Sequence, residues 1–382
     1  VSRAAPPLAL YVHFPWCVRK CPYCDFNSHA VGAALPAARY VTALAQDLEQ
    51  QAGAAAGREI GSVFLGGGTP SLFSPEQIGT VLAQARNLLR FADDAEITLE
   101  ANPGTIERGD FAAYRAAGIN RVSLGAQSFD AAALQRLGRI HAADDTRRAA
   151  EELHAAGLEN FNLDLMYGLP GQTVAGAEAD IAAALALAPA HVSHYQLTLE
   201  PGTLFGARPP ADLPEEDAVL EMLRLCQARL AAAGFEHYEV SAYARPGRCC
   251  RHNLNYWQFG DYLGIGAGAH GKLTEAAQGR SVRTARAREP RRYLAEVAEG
   301  APAARAIATQ DLAFEFMMNA LRLRAGFENS LFESRTGLPG SVVAATLERA
   351  RADGLLERAG ESWRASPLGE RFLNDLLQRF LP

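Results

Sequence analysis

Short runs of four to eight apolar residues alternate with longer stretches whose apolar positions recur at helical spacing. The apolar runs predict strands at Leu8–Phe14, Ser62–Leu65, Glu96–Glu100, Arg121–Leu124, Phe161–Met166 and His191–Leu199. Between them the pattern predicts helices at Ala37–Ala52, Pro75–Leu89, Arg108–Ala117, Ala142–Ala156 and Ala175–Ala188. Two of these stop at Ala117-Gly118 and Ala156-Gly157, the usual helix C-terminal signal. Strand–helix alternation implies a parallel sheet with right-handed crossovers. About six units are present, fewer than the eight of a closed barrel. The fold class expected is α/β, a partial (β/α)6 barrel; periodicity alone leaves a doubly wound sheet open.

Beyond this region the pattern changes. Helical patterns at Asp311–Leu323, Ser330–Thr336 and Ser341–Ala352 precede a short hairpin around Gly354 and Trp363, and a last helix at Leu368–Phe380. The division expected is a barrel over residues 1–205, an extension over 206–309, and a winged-helix-like α+β module over 310–382. Such modules often bind DNA, but acidic and basic residues are balanced here, so phosphate binding has little electrostatic drive. A lid, domain-packing or partner-docking role is expected instead.

Composition narrows the picture modestly. The 382 residues are 48% hydrophobic with a formal net charge of −6, enough apolar content for a large core and no general attraction to nucleic acid. No apolar run approaches the ~20 residues that cross a bilayer, and Leu8–Val12 is too brief for a signal-peptide core. The expectation is a soluble, cytoplasmic protein, not transmembrane and without a nucleic-acid partner. Six cysteines in so long a chain are no disulfide framework.

The unusual residues gather at one place. Cys17–Cys24, Gly66–Pro70, Glu100–Pro103, Gly125–Gln127 and Asp164–Pro170 all fall at strand C-terminal ends, the edge that carries chemistry in parallel α/β folds. Cys17-Val-Arg-Lys-Cys21-Pro-Tyr-Cys24 lets three thiolates converge from one loop, with Pro15 and Pro22 discouraging a helix. Thiolates suit an iron–sulfur cluster or zinc. Three on a four-iron cluster leave one iron for an external chelate; a zinc site would recruit His13 or His29.

From Tyr11-Val-His13-Phe-Pro15-Trp-Cys17 onward, through GGGTP (66–70), LEANP (99–103), LGAQSF (124–129) and LDLMYGLP (163–170), the chain resembles the radical SAM superfamily. Its opening is similar to that of the coproporphyrinogen dehydrogenase (HemN) and HemW group. The resemblance implies a [4Fe–4S] cluster on Cys17, Cys21 and Cys24 whose open iron takes S-adenosylmethionine by its amine and carboxylate. It implies that Tyr11 flanks the cluster and Tyr23 lies near the adenosine. Gly66, Gly67, Gly68 and Thr69 would set bare backbone against the methionyl group. Glu100, Gln127, Arg139 and Asp164 match positions that bind S-adenosylmethionine. Reductive cleavage to a 5′-deoxyadenosyl radical would need an electron from an external donor.

Two departures separate the chain from the dehydrogenase. That enzyme carries a further cysteine two residues past the third, where this chain has Phe26, and a longer region before the first strand. His252-Asn253-Leu254-Asn255-Tyr256-Trp257 resembles the HNxxYW signature of HemW-type heme chaperones, in which the histidine is associated with heme. Read on its chemistry, His252 is either a heme ligand between aromatics or a hydrogen-bonded histidine in an aromatic core. The resemblance implies a heme chaperone that passes heme to an acceptor protein. The alternatives are a coproporphyrinogen III dehydrogenase-like oxidoreductase and a zinc-binding regulator acting on nucleic acid. His270, in a glycine-rich run, reads as a second ligand or a loop residue, and that run as a flexible wall. Arg280, Arg283, Arg286, Arg288, Arg291 and Arg292 read as a propionate or partner contact, or a solvated face.

Overall fold

The computed structural model describes residues 5–105 and 110–382. Six strands, β1 (Leu8–Phe14), β2 (Glu59–Gly67), β3 (Arg90–Ala101), β4 (Arg121–Gln127), β5 (Phe161–Tyr167) and β6 (His191–Gln196), lie side by side in chain order, all parallel. Helices α1 (Ala37–Gln51), α2 (Pro75–Leu88), α3 (Asp110–Ala116), α4 (Ala131–Arg136), α5 (Ala143–Ala155) and α6 (Val174–Ala186) fill the crossovers. The expected start of the third helix, Arg108, lies outside the described residues. Ser74 and Gln77 form a capping box ahead of Pro75, which is why α2 begins there. Gly157 ends α5 with φ +69°, a conformation open to glycine at no steric cost.

The strands present two different faces. Val63, Leu65, Ile97, Leu99, Val122, Leu124, Leu163 and Val192 join the helices in one apolar core. The alternate positions carry Ser62, Glu96, Thr98, Glu100, Arg121, Ser123, Asn162, Asp164, His191 and Ser193, all on the inner face. A hydrogen-bonded chain runs across that face: Asn162 Nδ2 to Ser123 Oγ (2.8 Å), His191 Nδ1 to Asn162 Oδ1 (2.6 Å), and Ser193 Oγ to the same oxygen (3.0 Å). An interior this polar must be satisfied internally or by a ligand.

The central sheet is wider than the six predicted strands. After α7 (Leu204–Ala207) and α8 (Glu216–Ala232), β7 (Glu236–Glu239) and β8 (Ala242–Ala244) extend it beyond β6. Helix α9 (Arg251–Trp257) leads to β9 (Asp261–Ile265), which pairs parallel to β1 on its other side. Strands β10 (His270–Glu275), β11 (Arg280–Ala285) and β12 (Arg305–Ala306) continue that edge, and α10 (Pro290–Glu299) packs on α1. The glycine-rich run is therefore no flexible wall. A Cβ at Gly264 would stand 1.9 Å from the His270 carbonyl oxygen, so the glycines permit close strand contact.

Helices α11 (Thr309–Ala320), α12 (Asn329–Thr336) and α13 (Ser341–Ala352) surround a second apolar cluster. With them stands a three-stranded sheet of β13 (Phe327–Glu328), β14 (Leu356–Ala359) and β15 (Ser362–Ala365), followed by α14 (Pro367–Arg371) and α15 (Leu373–Gln378). This is the helix-and-hairpin arrangement of a winged helix. No helix among the described residues is long and apolar enough to cross a membrane.

Candidate functional site

A cavity of about 970 Å³ opens at the C-terminal ends of the barrel strands. Cys17, Cys21, Tyr23, Cys24, Gly67, Gly68, Thr69, Glu100, Gln127, Arg139 and Asp164 all line it. Most of the residues singled out from the sequence therefore meet in one space.

The cysteine loop is held from several directions. Trp16–Cys17 pairs with His29–Ala30, and the Cys24 amide donates to the Cys21 carbonyl at 3.2 Å. Thr69 Oγ1 donates to Cys17 Sγ at 3.3 Å, and Arg139 Nη1 approaches Cys21 Sγ at 3.7 Å. All three cysteines are free and half-buried. Burial pushes the Cys17 and Cys24 thiols up, partly offset by hydrogen bonds from Thr69 to Cys17 and from the loop amide and Ser28 to Cys24. Binding a cationic centre would remove those protons.

The donor set fits an iron–sulfur cluster better than a zinc ion. His13, one expected fourth ligand, uses both ring nitrogens: Nε2 bonds the Asn27 carbonyl (2.8 Å) and Nδ1 takes the Tyr11 hydroxyl (3.0 Å). His29 Nε2 is engaged by the Arg288 carbonyl at 3.2 Å. Among the described residues no three His, Cys, Asp or Glu converge closely enough to hold a single ion. Three thiols spread around a cavity suit a larger inorganic core.

The acidic wall is strongly perturbed. Glu100 Oε2 accepts from the Gly67 amide at 2.9 Å, and burial with the nearby Asp164 charge raises its carboxyl to about 7. Asp164 accepts from Ser123 (3.2 Å) and Asn162 (2.8 Å), and burial raises it too. Arg139 Nη2 donates to the Gly125 carbonyl at 2.8 Å beside Gln127, whose φ is +67°. A strained, buried set of this kind is typical of ligand sites.

Three expectations change. Gly66 and Tyr11 are not among the residues lining the cavity, and the Tyr11 hydroxyl bonds His13. The glycines also answer to the protein's own atoms. A Cβ on Gly67 would fall 2.3 Å from the His13 ring, and one on Gly68 2.6 Å from the Trp16 carbonyl oxygen. His252 lies away from the cavity altogether. It is 1% exposed, its Nδ1 meets Ser62 Oγ at 3.1 Å, and the rings of Phe64, Tyr256 and Tyr11 stand 5.1, 4.9 and 6.4 Å away. Glu96 accepts from the Arg251 and His252 amides, both at 3.1 Å, seating α9 as a plug in the barrel floor. His252 is thus set apart from the cavity, with its Nε2 buried and unpartnered among the described residues.

The chain is 48% identical to the heme chaperone HemW of Escherichia coli (strain K12) over 98% of both chains. It belongs to the HemW family. The Haemophilus influenzae heme chaperone HemW is 46% identical over 98% of each chain. The Radical SAM superfamily model matches residues 11–184, and the HemN C-terminal domain model matches 307–372. Coproporphyrinogen III oxidase (HemN) from Escherichia coli, described as a radical SAM enzyme, has the same fold. Its TM-score is 0.82 at 24% identity, covering 98% of this chain and 90% of that one. Radical SAM membership implies a [4Fe–4S] cluster and S-adenosylmethionine.

The arginine cluster resolves into separate contacts. Arg286 is buried against Asp47 (2.6 Å), Arg283 pairs with Glu315 (2.6 Å), and Arg292 with Glu296 (2.9 Å). His270 is an exposed strand residue. Asn102, within the strand-end run marked from the sequence, lines the cavity; Ser123, His194 and Tyr195 line it too and were not singled out. Ser123 and Tyr195 carried a signal, as side chains on the polar face of their strands; His194, on the same face of β6 as Val192, carried none.

Proposed function

We propose that this chain is a cytoplasmic heme chaperone. In this reading it holds a [4Fe–4S] cluster on Cys17, Cys21 and Cys24, binds S-adenosylmethionine beside it, and hands heme to an acceptor protein. When bound, the cluster and S-adenosylmethionine supply reductive sulfonium cleavage, driven by an external electron donor. Thr69 and Arg139 steady the sulfur atoms of Cys17 and Cys21. Glu100, Gln127 and Asp164 offer acceptors for ribose hydroxyls or an ammonium group, and Tyr23 offers a ring face near the adenosine. Gly67 and Gly68 keep the wall close.

The observation that carries this reading is the continuity of one cavity from the cysteine loop to the C-terminal unit, far larger than a cluster pocket alone. Phe26 is 60% exposed at the cavity lip where the dehydrogenase pattern has cysteine. The test is anaerobic reconstitution followed by two parallel assays. Heme uptake without turnover of coproporphyrinogen III is expected. Stoichiometric protoporphyrinogen IX with 5′-deoxyadenosine would make the chain a dehydrogenase instead, and zinc without sulfide-bridged iron would defeat both.

A further inference from the structure

The cavity has a second end that the cluster and S-adenosylmethionine residues do not use. Its walls are Leu220, Leu223 and Arg224 on α8, His194 on β6, and Leu321 and Arg371 from the C-terminal unit. Tyr195, which follows His194 in β6, belongs instead to the first end, with its hydroxyl near Asp164, Ser193 and Glu100.

His194 is the unexplained residue here. It is 4% exposed, its Nδ1 is buried with no partner, and no hydrogen bond reaches its ring among the described residues. The ring leans on Tyr167 with centroids 4.5 Å apart, which fixes its direction. Burial lowers its pKa to about 3, so the imidazole is neutral and keeps a lone pair. His237, the other imidazole on this wall, is stacked on Tyr243 at 4.3 Å, and its Nε2 meets the Val240 carbonyl at 3.3 Å. An unpartnered neutral imidazole beside a cavity is suited to a metal centre.

The charges point the same way. Arg322 is paired with Glu239 at 3.1 Å, and Arg324 with Glu370. Arg224 and Arg371, on the same wall, are exposed and lack a carboxylate partner among the described residues. Leu220 is 39% exposed beside them. Apolar walls, two free guanidinium groups and one free imidazole match a flat apolar molecule carrying two carboxylates and a metal.

We propose that heme is carried in this outer chamber, with His194 as axial ligand to iron and Arg224 and Arg371 facing the propionates. The inference rests on the heme-chaperone reading and moves the ligand from the barrel floor to the cavity. It puts the cargo in the same space as the cluster and under the C-terminal unit.

The experiment is an anaerobic heme titration of the cluster-loaded full chain, read by the Soret band and by equilibrium affinity. His194→Gly is expected to shift the Soret band and weaken binding by about tenfold or more, with added imidazole restoring the parent spectrum. Arg224→Ala with Arg371→Ala should weaken heme by about tenfold but leave heme dimethyl ester, which has no free carboxylates, unchanged. His252→Ala should keep the parent Soret position if its circular dichroism shows it folded. Parent-like binding by His194→Gly, or loss of the Soret signature in folded His252→Ala alone, would overturn the assignment. A parent chain that takes up no heme would remove the chaperone reading and this one together.

Discussion

Glu100 sits where a small chemical change has a measurable effect. Burial and Asp164 raise its carboxyl to about 7, while the Gly67 amide holds its charged form. Its folded pKa is above the unfolded value, so the folded chain holds more protons between the two. Its contribution to stability is then lost as pH rises from the ordinary carboxylate range toward 7. A cationic ligand reverses the preference. S-adenosylmethionine affinity should therefore rise from about pH 6 to about pH 8, and Glu100→Gln should flatten that slope, as equilibrium dialysis would show. Gly68→Ala tests the neighbouring turn, since its Cβ would meet the Trp16 carbonyl at 2.6 Å. Iron and sulfide bound per chain should fall, whereas Gly32→Ala, with nothing within 4 Å, should match the parent.

Between elements, buried charges do the joining. Asp47 on α1 takes Arg286 (2.6 Å), Gln51 (2.6 Å), Tyr293 (3.0 Å) and the Gly266 amide (3.1 Å), tying α10 and the end of β9 to the barrel. Asp47→Ala would leave Arg286 buried without its counter-charge, so chemical denaturation should register a loss of about 3–5 kcal/mol. Asp47 on α1 and Arg286 in the loop after β11 are far apart in sequence, and nothing in either local pattern announces the pair. Strand and helix positions were different. The predicted β1 agrees with the observed Leu8–Phe14, and α1, α2, α5 and α6 agree within a residue or two, because each is set by local periodicity. Strand β9 was missed because Gly264 and Gly266 weaken the strand signal, and only contact with β1 and β10 explains them.

Across the whole molecule, the C-terminal unit closes the cavity. Phe316 is fully buried against Phe259, Phe327 and Phe332, with ring centroids 5.8, 5.1 and 5.2 Å away. Phe259 follows the plug helix α9, so this cluster ties the C-terminal unit to the barrel. Phe316→Ala should cost about 3–5 kcal/mol and, by loosening that wall, speed heme release measured by transfer to apomyoglobin. Release at the parent rate from a destabilised variant would show that the C-terminal unit does not gate the chamber.

The cysteine spacing, the strand–helix rhythm and the series of polar residues at strand ends were sufficient by themselves to place the cluster loop, the barrel and most of the cavity wall. Each is a local pattern, and parallel topology carries every such strand end to one edge. Which histidine faces the cavity could not be read that way. His252 sits in the more suggestive motif but is buried away from the cavity, while His194 sits in an ordinary strand and lines the cavity wall; each keeps one ring nitrogen without a partner among the described residues. Burial and pairing of a side chain depend on segments distant in sequence, and those are set only when the chain has folded.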